Sequence, residues 1–355
     1  MDGTQGEQSM LKVAIIPGDG IGPEVMEGAY PLLEWARRRG RPLEWAVFPF
    51  GADHFLRTGE TLSDAHFQEL RDDFDAILFG AIGDPRVPDG RHAEQILLRL
   101  RQELQLHVNH RPCEPLQDAF VPLKERRAAE IHIDVFRENT EGLYSLRGWT
   151  EPDSAVDEAV HTARAIRFLL RAAFERAAVR DTSLTLAHKA NVLKHGHGLW
   201  MRLFAELKQE FPRVPAQGMH ADALLCALVQ DPRRFGVIAA DNFIGDLVSD
   251  LLAGFQGGMG MAPSASWAPH RPYRCSALFE PVHGSAPDIV GMDQANPVGL
   301  VLSTALLFRH VEWQAEAVEI ERAVAGLVRS GQGTRDIGGT AGCREFLEKL
   351  VSSFA

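Results

Sequence analysis

The sequence predicts an α/β fold, and two observations predict it. Apolar runs of strand length, at Leu11 to Ile16, Leu43 to Phe48 and Ala76 to Phe79, alternate with longer segments of helical period; such alternation buries strands in a sheet covered by helices. A balance of 45% apolar and 24% charged residues in 355 is that of a globular chain, long enough for one large α/β domain or two smaller ones.

Taken in order, Leu11 to Ile16 reads as a buried strand that runs into Pro17-Gly18-Asp19-Gly20 and then a helix from about Pro23 to Arg39, with Gly40 as its cap. A strand follows at Leu43 to Phe48, then a helix opened by Ser63 as N-cap, a strand at Ala76 to Phe79 and a helix around Ala93 to Leu104. Pro112, Pro115 and Pro122 then interrupt the pattern, which places a domain crossing near Leu106. An alternating strand at Ile131 to Arg137 leads to a long amphipathic helix from Asp157 to Ala178, a strand at Ser183 to Ala187 and a helix across Gly198 to Phe211. The stretch from Phe255 to Ser266, rich in Gly and Ser, carries the chain back toward the first domain.

The net charge of −11 argues against a broad phosphate-backbone surface, which needs stripes of Lys and Arg, and leaves room for a local basic pocket. Met1 to Met10 lacks the apolar core of a signal peptide and no apolar run reaches membrane-spanning length, so the expectation is a cytoplasmic protein. Cys113, Cys226, Cys275 and Cys343 are scattered, with no CxxC pair to suggest a disulfide framework or a zinc site.

Several residue sets carry possible chemistry. Gly18-Asp19-Gly20-Ile21-Gly22-Pro23 follows a strand but lacks the spacing of the dinucleotide fingerprint, and alone it reads as a tight strand-to-helix turn. Arg101, Arg111 and Arg137 offer guanidinium forks for carboxylates if they converge; taken singly they are as readily solvated surface charges. Asp246 and Asp250, four apart, share one helix face and would repel unless a cation lies between them; Asp222 on the preceding helix is a natural third oxygen ligand for magnesium or manganese. A solvated acidic face is the plainer reading of that pair alone. Lys189 and Tyr144 are the candidate proton carriers. His195 and His197 lack the companions of a metal site and read as helix-capping or loop residues.

Together the segments resemble the β-decarboxylating dehydrogenase family of isopropylmalate, isocitrate, homoisocitrate and tartrate or D-malate dehydrogenases. The resemblance covers nearly the whole chain: Ile16-Pro17-Gly18-Asp19-Gly20-Ile21-Gly22-Pro23-Glu24, Asn109-His110-Arg111-Pro112, Arg137-Glu138-Asn139-Thr140-Glu141-Gly142, His188-Lys189-Ala190-Asn191-Val192, the Asp246 segment, Glu280-Pro281-Val282-His283-Gly284-Ser285-Ala286-Pro287-Asp288-Ile289 and Asn296-Pro297. It implies a two-domain isopropylmalate/isocitrate dehydrogenase-like α/β fold, with mixed sheets flanked by helices and no Rossmann domain. Residues 1–106 and 257–355 would form a large domain carrying the NAD loop, and 107–256 a smaller one carrying the metal ligands and a dimer interface.

The resemblance also implies a homodimer with shared active sites, in which Lys189 and Asp222 of one subunit complete a site holding Arg101, Arg111, Arg137, Tyr144, Asp246 and Asp250 of the other. Lys189 would take the proton of the substrate hydroxyl and Tyr144 would protonate the carbon left after decarboxylation, with Asp222, Asp246 and Asp250 as ligands of Mg2+ or Mn2+. His283, Gly284, Ser285, Ala286, Pro287, Asp288, Ile289, Asn296 and Asp336, with Ile16, would bind the cofactor. The acid of Asp288 suits ribose hydroxyls and opposes a 2′-phosphate, so NAD is expected over NADP.

Substrate choice rests, within the family, on Glu94 to Arg101. Glu94, Leu97 and Leu98 match the isopropylmalate pattern, in which two leucines wall an isopropyl group, and Asn191 joins the substrate side. The expected reaction is oxidative decarboxylation of 3-isopropylmalate, a small polycarboxylate. His188 to Asn191 and Met261-Ala262-Pro263-Ser264-Ala265 look more like the isocitrate and homoisocitrate branch, and Arg91 and Arg99 would suit an anionic substituent. Homoisocitrate, D-malate, tartrate or a side-pathway malate analogue therefore stay open as substrates. Oxidation without decarboxylation and a non-catalytic regulatory subunit of the same fold stay open as other classes. No nucleic-acid or membrane partner is expected.

Overall fold

The computed structural model describes residues 10–124 and 127–354. Strand β1 (Leu11–Gly18) runs past the apolar stretch and ends where Gly18 takes a φ of 73°, with its Cα so close to the next loop that a Cβ would sit 1.8 Å from the Ala81 carbonyl oxygen; only glycine makes that turn. The single helix expected from Pro23 to Arg39 is two, α1 (Gly22–Met26) and α2 (Ala29–Arg38). The break falls at Gly28, whose bare backbone packs where a Cβ would lie 2.8 Å from Leu347.

Strand β2 (Leu43–Val47) is followed by an unforeseen short helix, α3 (Ala52–Thr58), and by α4 (Asp64–Asp73), where Ser63 caps as expected by accepting the His66 N–H at 3.3 Å. After β3 (Ala76–Ala81), the expected Ala93 to Leu104 helix is α5 (Arg91–Ala93), a π-helical turn (Glu94–Leu98) and α6 (Arg99–Glu103).

The proline-broken stretch holds a strand, β4 (Val108–Cys113). Pro112 is tolerated because β4 pairs with β11 (Pro263–Trp267) only over Val108 to His110, so the nitrogen that cannot donate meets no β11 partner. Strand β5 (Ile133–Glu138) precedes a hairpin of β6 (Gly142–Glu151) and β7 (Ser154–Val160). The helix expected from Asp157 therefore begins later, as α7 (Ala163–Val179): Thr162 accepts the Ala165 N–H at 3.3 Å and sets the start, while Asp157 to Val160 pair with β6. Then come β8 (Leu184–His188), α8 (Gly196–Glu210), β9 (Ala216–His220), α9 (Ala221–Gln230), β10 (Val237–Ala240) and α10 (Asn242–Ala253). The chain closes with β11, β12 (Ala277–Pro281), α11 (Val298–His310), α12 (Gln314–Arg329) and α13 (Cys343–Ser352).

One ten-stranded mixed sheet runs β2-β1-β3-β12-β11-β4-β5-β10-β8-β9. Its outer strands pair in parallel, while β12-β11-β4-β5 pair antiparallel at the centre. Strands from both chain ends make one half, with cores on its two faces that join Leu11 to Leu350 and Ala14 to Leu278. The middle of the chain makes the other half, with cores centred on Phe174 and Trp200 on one face and on Val248 and Phe255 on the other. Trp267, on β11, packs against a core of each half.

Candidate active site

Strand period and register assemble the first group of functional side chains. Asn109 of β4 stands opposite Arg137 of β5, and Arg111 lies two residues along from Asn109, so all three point to the same face of the sheet. Helix α10 crosses that face. It comes close because residue 245 is glycine, at which a Cβ would lie 2.8 Å from Cγ of Arg137. The next residue, Asp246, then receives Arg111 Nη1 at 3.2 Å, Arg137 Nη1 in a shorter contact and the Tyr144 hydroxyl at 2.5 Å. Asp250, one turn on, is 3.5 Å from Arg111 Nη1.

These groups are held on several sides. Arg111 also donates to Asn109 Oδ1 at 3.1 Å and to Ser249 Oγ at 2.8 Å, Arg137 Nε donates to Asn242 Oδ1 at 2.9 Å, and the Arg137 guanidinium lies 4.8 Å from the centre of the Tyr144 ring. Arg101, on α6, is paired with Glu280 of β12 at 2.6 Å. It is near enough for its charge to act on Arg111 and Arg137. Gln102 Nε2 donates to the Tyr144 carbonyl at 3.1 Å, tying the segment from Glu94 onward to β6.

The electrostatics follow from burial and crowding. Burial, and then the like charge of Arg111, push the Arg137 guanidinium down to about 9; burial likewise lowers Arg111. At Asp246 burial pushes the carboxyl up, but the guanidiniums of Arg137 and Arg111 outweigh it and hold the group below its ordinary range, so it is a carboxylate at neutral pH. Asp250 is raised by burial and by the charge of Asp246, the signature of two carboxylates sharing one place. Burial and the bond to Asp246 raise Tyr144, keeping its phenol protonated.

A second group stands apart. Lys189 Nζ meets Asp222 Oδ1 at 2.8 Å, and neither contacts the Asp246 cluster among the described residues. The Lys189 ammonium draws the exposed Asp222 carboxyl down. Asn191 beside them is exposed. Within one chain, the candidate metal ligands are thus split between two places.

A third group forms where β1, β3 and β12 end. Ile21 N–H donates to the Ser285 carbonyl at 2.9 Å and Asp19 N–H to the Ala81 carbonyl at 2.8 Å. Asp19 accepts from Ala52 N at 2.6 Å and Gly83 N at 2.9 Å, and its Oδ2 lies 2.9 Å from Nε2 of buried His92. Loops at the carboxyl ends of parallel strands are where α/β sheets bind ligands. His283 Nδ1 faces the Gly284 carbonyl at 2.9 Å, while its buried Nε2 has no partner among the described residues. Asp288 is exposed farther along the same loop, as are Gly284 and Pro287, with Ala286 and Ile289 half-buried. Asn296 donates to Asp336 Oδ2 at 2.9 Å, bringing together two residues forty positions apart. The orphaned histidine nitrogen and exposed carboxylate fit an adenosine. Ile16 differs from expectation: it is fully enclosed in the core, so its side chain offers no surface to a cofactor here.

Glu94 is exposed on the π-helical turn, with Leu97 and Leu98 half-buried one turn before Arg101. Arg91 and Arg99, considered for an anionic substituent, are already engaged. Arg91 pairs with Asp89, and Arg99 with Asp64, Glu103 and the Leu62 carbonyl. The side chain of His195 makes no cap hydrogen bond; His197 is buried in the first turn of α8 and bonded on both ring nitrogens, contrary to a plain capping role. Sequence reasoning missed Ser249, Asn242 and Glu280 as partners of the arginines. Their spacing to Asp246 on α10, and the Glu280-Pro281-Val282-His283 segment, were the available signals.

This fold and this cluster of arginines, tyrosine and aspartates define an enzyme of the β-decarboxylating dehydrogenase class. The family model for isocitrate/isopropylmalate dehydrogenase matches residues 12–350. A 3-isopropylmalate dehydrogenase of Streptomyces coelicolor is 43% identical over 345 residues, 94% of this chain and 98% of its own. Isocitrate dehydrogenase from Methylococcus capsulatus superposes with a TM-score of 0.87 at 31% identity, covering 97% of this chain and 99% of that one. A β-decarboxylating dehydrogenase from Thermococcus kodakarensis does so with a TM-score of 0.79 at 34% identity, covering 97% and 96%. The chain belongs to the isocitrate/isopropylmalate dehydrogenase family. Among the described residues, no helix is long and apolar enough to cross a membrane.

Proposed function

We propose that the protein oxidises and decarboxylates 3-isopropylmalate with NAD and a magnesium or manganese ion. The observation that carries this reading is Asp246, gripped by Arg111 at 3.2 Å and by Arg137, and touched by the Tyr144 hydroxyl at 2.5 Å. Two guanidinium forks, an ionised carboxylate of the kind that binds a hard cation and a protonated phenol thus lie together. The Streptomyces relatives named 3-isopropylmalate dehydrogenases support the substrate, as do the half-buried Leu97 and Leu98.

Arg101, Arg111 and Arg137 bind the two substrate carboxylates, and Leu97 and Leu98 enclose the isopropyl group, with Glu94 and Asn191 completing the substrate side. Asp246, Asp250 and Asp222 would hold the ion, which would supply Lewis acidity for the reaction, as NAD would supply the acceptor for the hydride. Lys189 takes the hydroxyl proton. After carbon dioxide leaves, Tyr144 returns a proton to the carbon, which its raised pKa allows at neutral pH. His283, Asp288, Asn296 and Asp336, with Gly284 to Pro287 and Ile289, hold the adenosine, and the Asp288 carboxylate selects NAD by repelling a 2′-phosphate.

Residues 1–106 and 257–355 act as one domain and 107–256 as the other, a division supported by the way the four cores separate. The working form is a homodimer, in which Lys189 and Asp222 reach the partner's Asp246 cluster. Exposed apolar side chains support it: Val229 on α9, Phe243 and Leu247 on α10, and Leu146 and Trp149 on the β6 to β7 hairpin.

The test is NADH formation with magnesium or manganese, offering 3-isopropylmalate, homoisocitrate, isocitrate, D-malate and tartrate with each nicotinamide cofactor. Preference for 3-isopropylmalate with NAD and release of carbon dioxide is expected. A preference for another acid overturns the pocket reading, and reduction without carbon dioxide overturns the decarboxylation.

A further inference from the structure

We propose that the buried pair His197 and Asp241 positions Lys189, fastening the main chain of the base to the N-terminus of the helix that carries Asp246 and Asp250. The Lys189 N–H donates to His197 Nδ1 at 2.7 Å, and His197 Nε2 lies 3.0 Å from Asp241 Oδ2. A ring nitrogen that accepts an N–H cannot itself carry a proton, so the ring proton must be on Nε2, pointing at the carboxylate. Donor and acceptor roles along the chain are therefore fixed. The other Asp241 oxygen accepts the Ile244 N–H at 2.8 Å as the N-cap of α10. One carboxylate thus sets both the start of the metal-ligand helix and the orientation of the histidine that holds Lys189.

Both residues are enclosed, His197 at 1% and Asp241 at 7% exposure, so these bonds do not compete with bulk water. The segment needs such an anchor. Lys189 leaves the sheet at the end of β8, and among the described residues its carbonyl is bound within its own turn, by the N–H groups of Val192 at 3.0 Å and Leu193 at 2.8 Å. His161 closes the pair off: its ring meets that of His197 edge-on at 5.9 Å, and its Nδ1 accepts from Trp200 Nε1 at 3.3 Å. It approaches over Gly196, where a Cβ would lie 2.6 Å from the His161 ring.

The three ligand atoms of His161, His197 and Asp241 lie within 4.8 Å of one another, which also suits a metal. A metal on Nε2 of His197 would require the proton on Nδ1, head-on against the Lys189 N–H. The 2.7 Å contact therefore favours the hydrogen-bonded chain over a metal centre.

The inference rests on the reading of Lys189 as the base, and the test separates the two. Lys189→Ala, His197→Ala, His197→Asn and wild type are compared for kcat, for the Michaelis constants toward substrate and NAD, for Tm, and for the primary isotope effect with substrate deuterated at C2. Asparagine keeps an acceptor close to the place of Nδ1 and gives up the donor to Asp241. His197→Ala should lower kcat ~10- to 100-fold, the scale of misplacing a reacting group by an ångström, with each Michaelis constant within about threefold and a larger isotope effect on kcat. His197→Asn should recover most of the loss. An inactive Lys189→Ala beside a His197→Ala enzyme within about twofold of wild-type kcat overturns the positioning role alone. A fully active Lys189→Ala removes the base reading and the positioning role with it. Equal loss of kcat in the alanine and asparagine variants, in step with their Tm, or one equivalent of zinc that His161→Ala abolishes, also overturns it.

Discussion

Arg137 shows how a residue's surroundings set its task. Fully buried, with Nε on Asn242 and Nη1 on Asp246, it is a fork whose two arms have different partners. Lysine supplies a single point of charge and cannot fill both. Arg137→Lys should lower kcat/KM for the substrate ~100-fold or more, mostly through KM, in steady-state assays at saturating metal. Tyr144→Phe has the opposite signature. Among the described residues its hydroxyl bonds to Asp246 alone, so its loss should leave KM nearly unchanged and lower kcat ~100- to 1000-fold, the usual worth of a positioned proton donor. A Tyr144→Phe enzyme with wild-type kcat would remove the phenol from the reaction. At this scale the sequence was informative through its resemblance, because arginine, tyrosine and aspartate carry the chemistry in their side chains. The acids that hold Arg91 and Arg99 were only partly legible: Asp89 and Glu103 are sequence neighbours at short spacing, whereas Asp64 reaches Arg99 through the fold.

Elements were legible where a local cap or period fixed them and illegible where pairing did. Ser63 begins α4 as its side chain dictates, whereas Asp157 to Val160 carry helical spacing yet pair with β6, and Pro112 hides a strand whose unpaired side tolerates it. Two predictions belong to this scale. Gly245→Ala should push α10 off β5, since the new Cβ would lie 2.8 Å from Arg137; calorimetry should register a loss of ~1 to 3 kcal/mol and manganese titration a weaker site. Asp134 of β5 holds α7 to the sheet, accepting from Arg176 at 2.8 Å and Arg180 at 2.6 Å and facing His110 at 2.5 Å. Burial alone would raise its carboxyl, but His110 and then Arg176 hold it far below the ordinary value near 3.8. A depressed carboxylate contributes stability above its unfolded pKa and loses it as pH falls below that value. Asp134→Asn should therefore cost ~2 to 4 kcal/mol at pH 7, and the deficit should shrink as acid titration passes below about pH 4. A deficit independent of pH would mean that packing, not charge, is lost.

For the whole molecule, the half-sheet built from both chain ends was legible through the family resemblance and not through local pattern, because β12 comes to lie beside β3 only after the chain between them has formed the other half. The same separation governs the active site. Lys189 pairs with Asp222 while Asp246 sits with Arg111 and Arg137, so one chain presents two incomplete groups; in the proposed two-fold dimer, each group of one subunit would meet the other group of its partner. That arrangement predicts complementation between dead enzymes. Lys189→Ala and Asp246→Asn homodimers should each be inactive. Mixed and allowed to exchange subunits at equal concentration, half the dimers are hybrids, and each hybrid holds one site with two damaged components and one with none. Activity should rise to about a quarter of wild type, and it should appear with the time course of subunit exchange. If each chain completed its own site, every site in the mixture would keep one defect and no activity would return, so the assay separates a shared site from a self-contained one without any structure of the dimer.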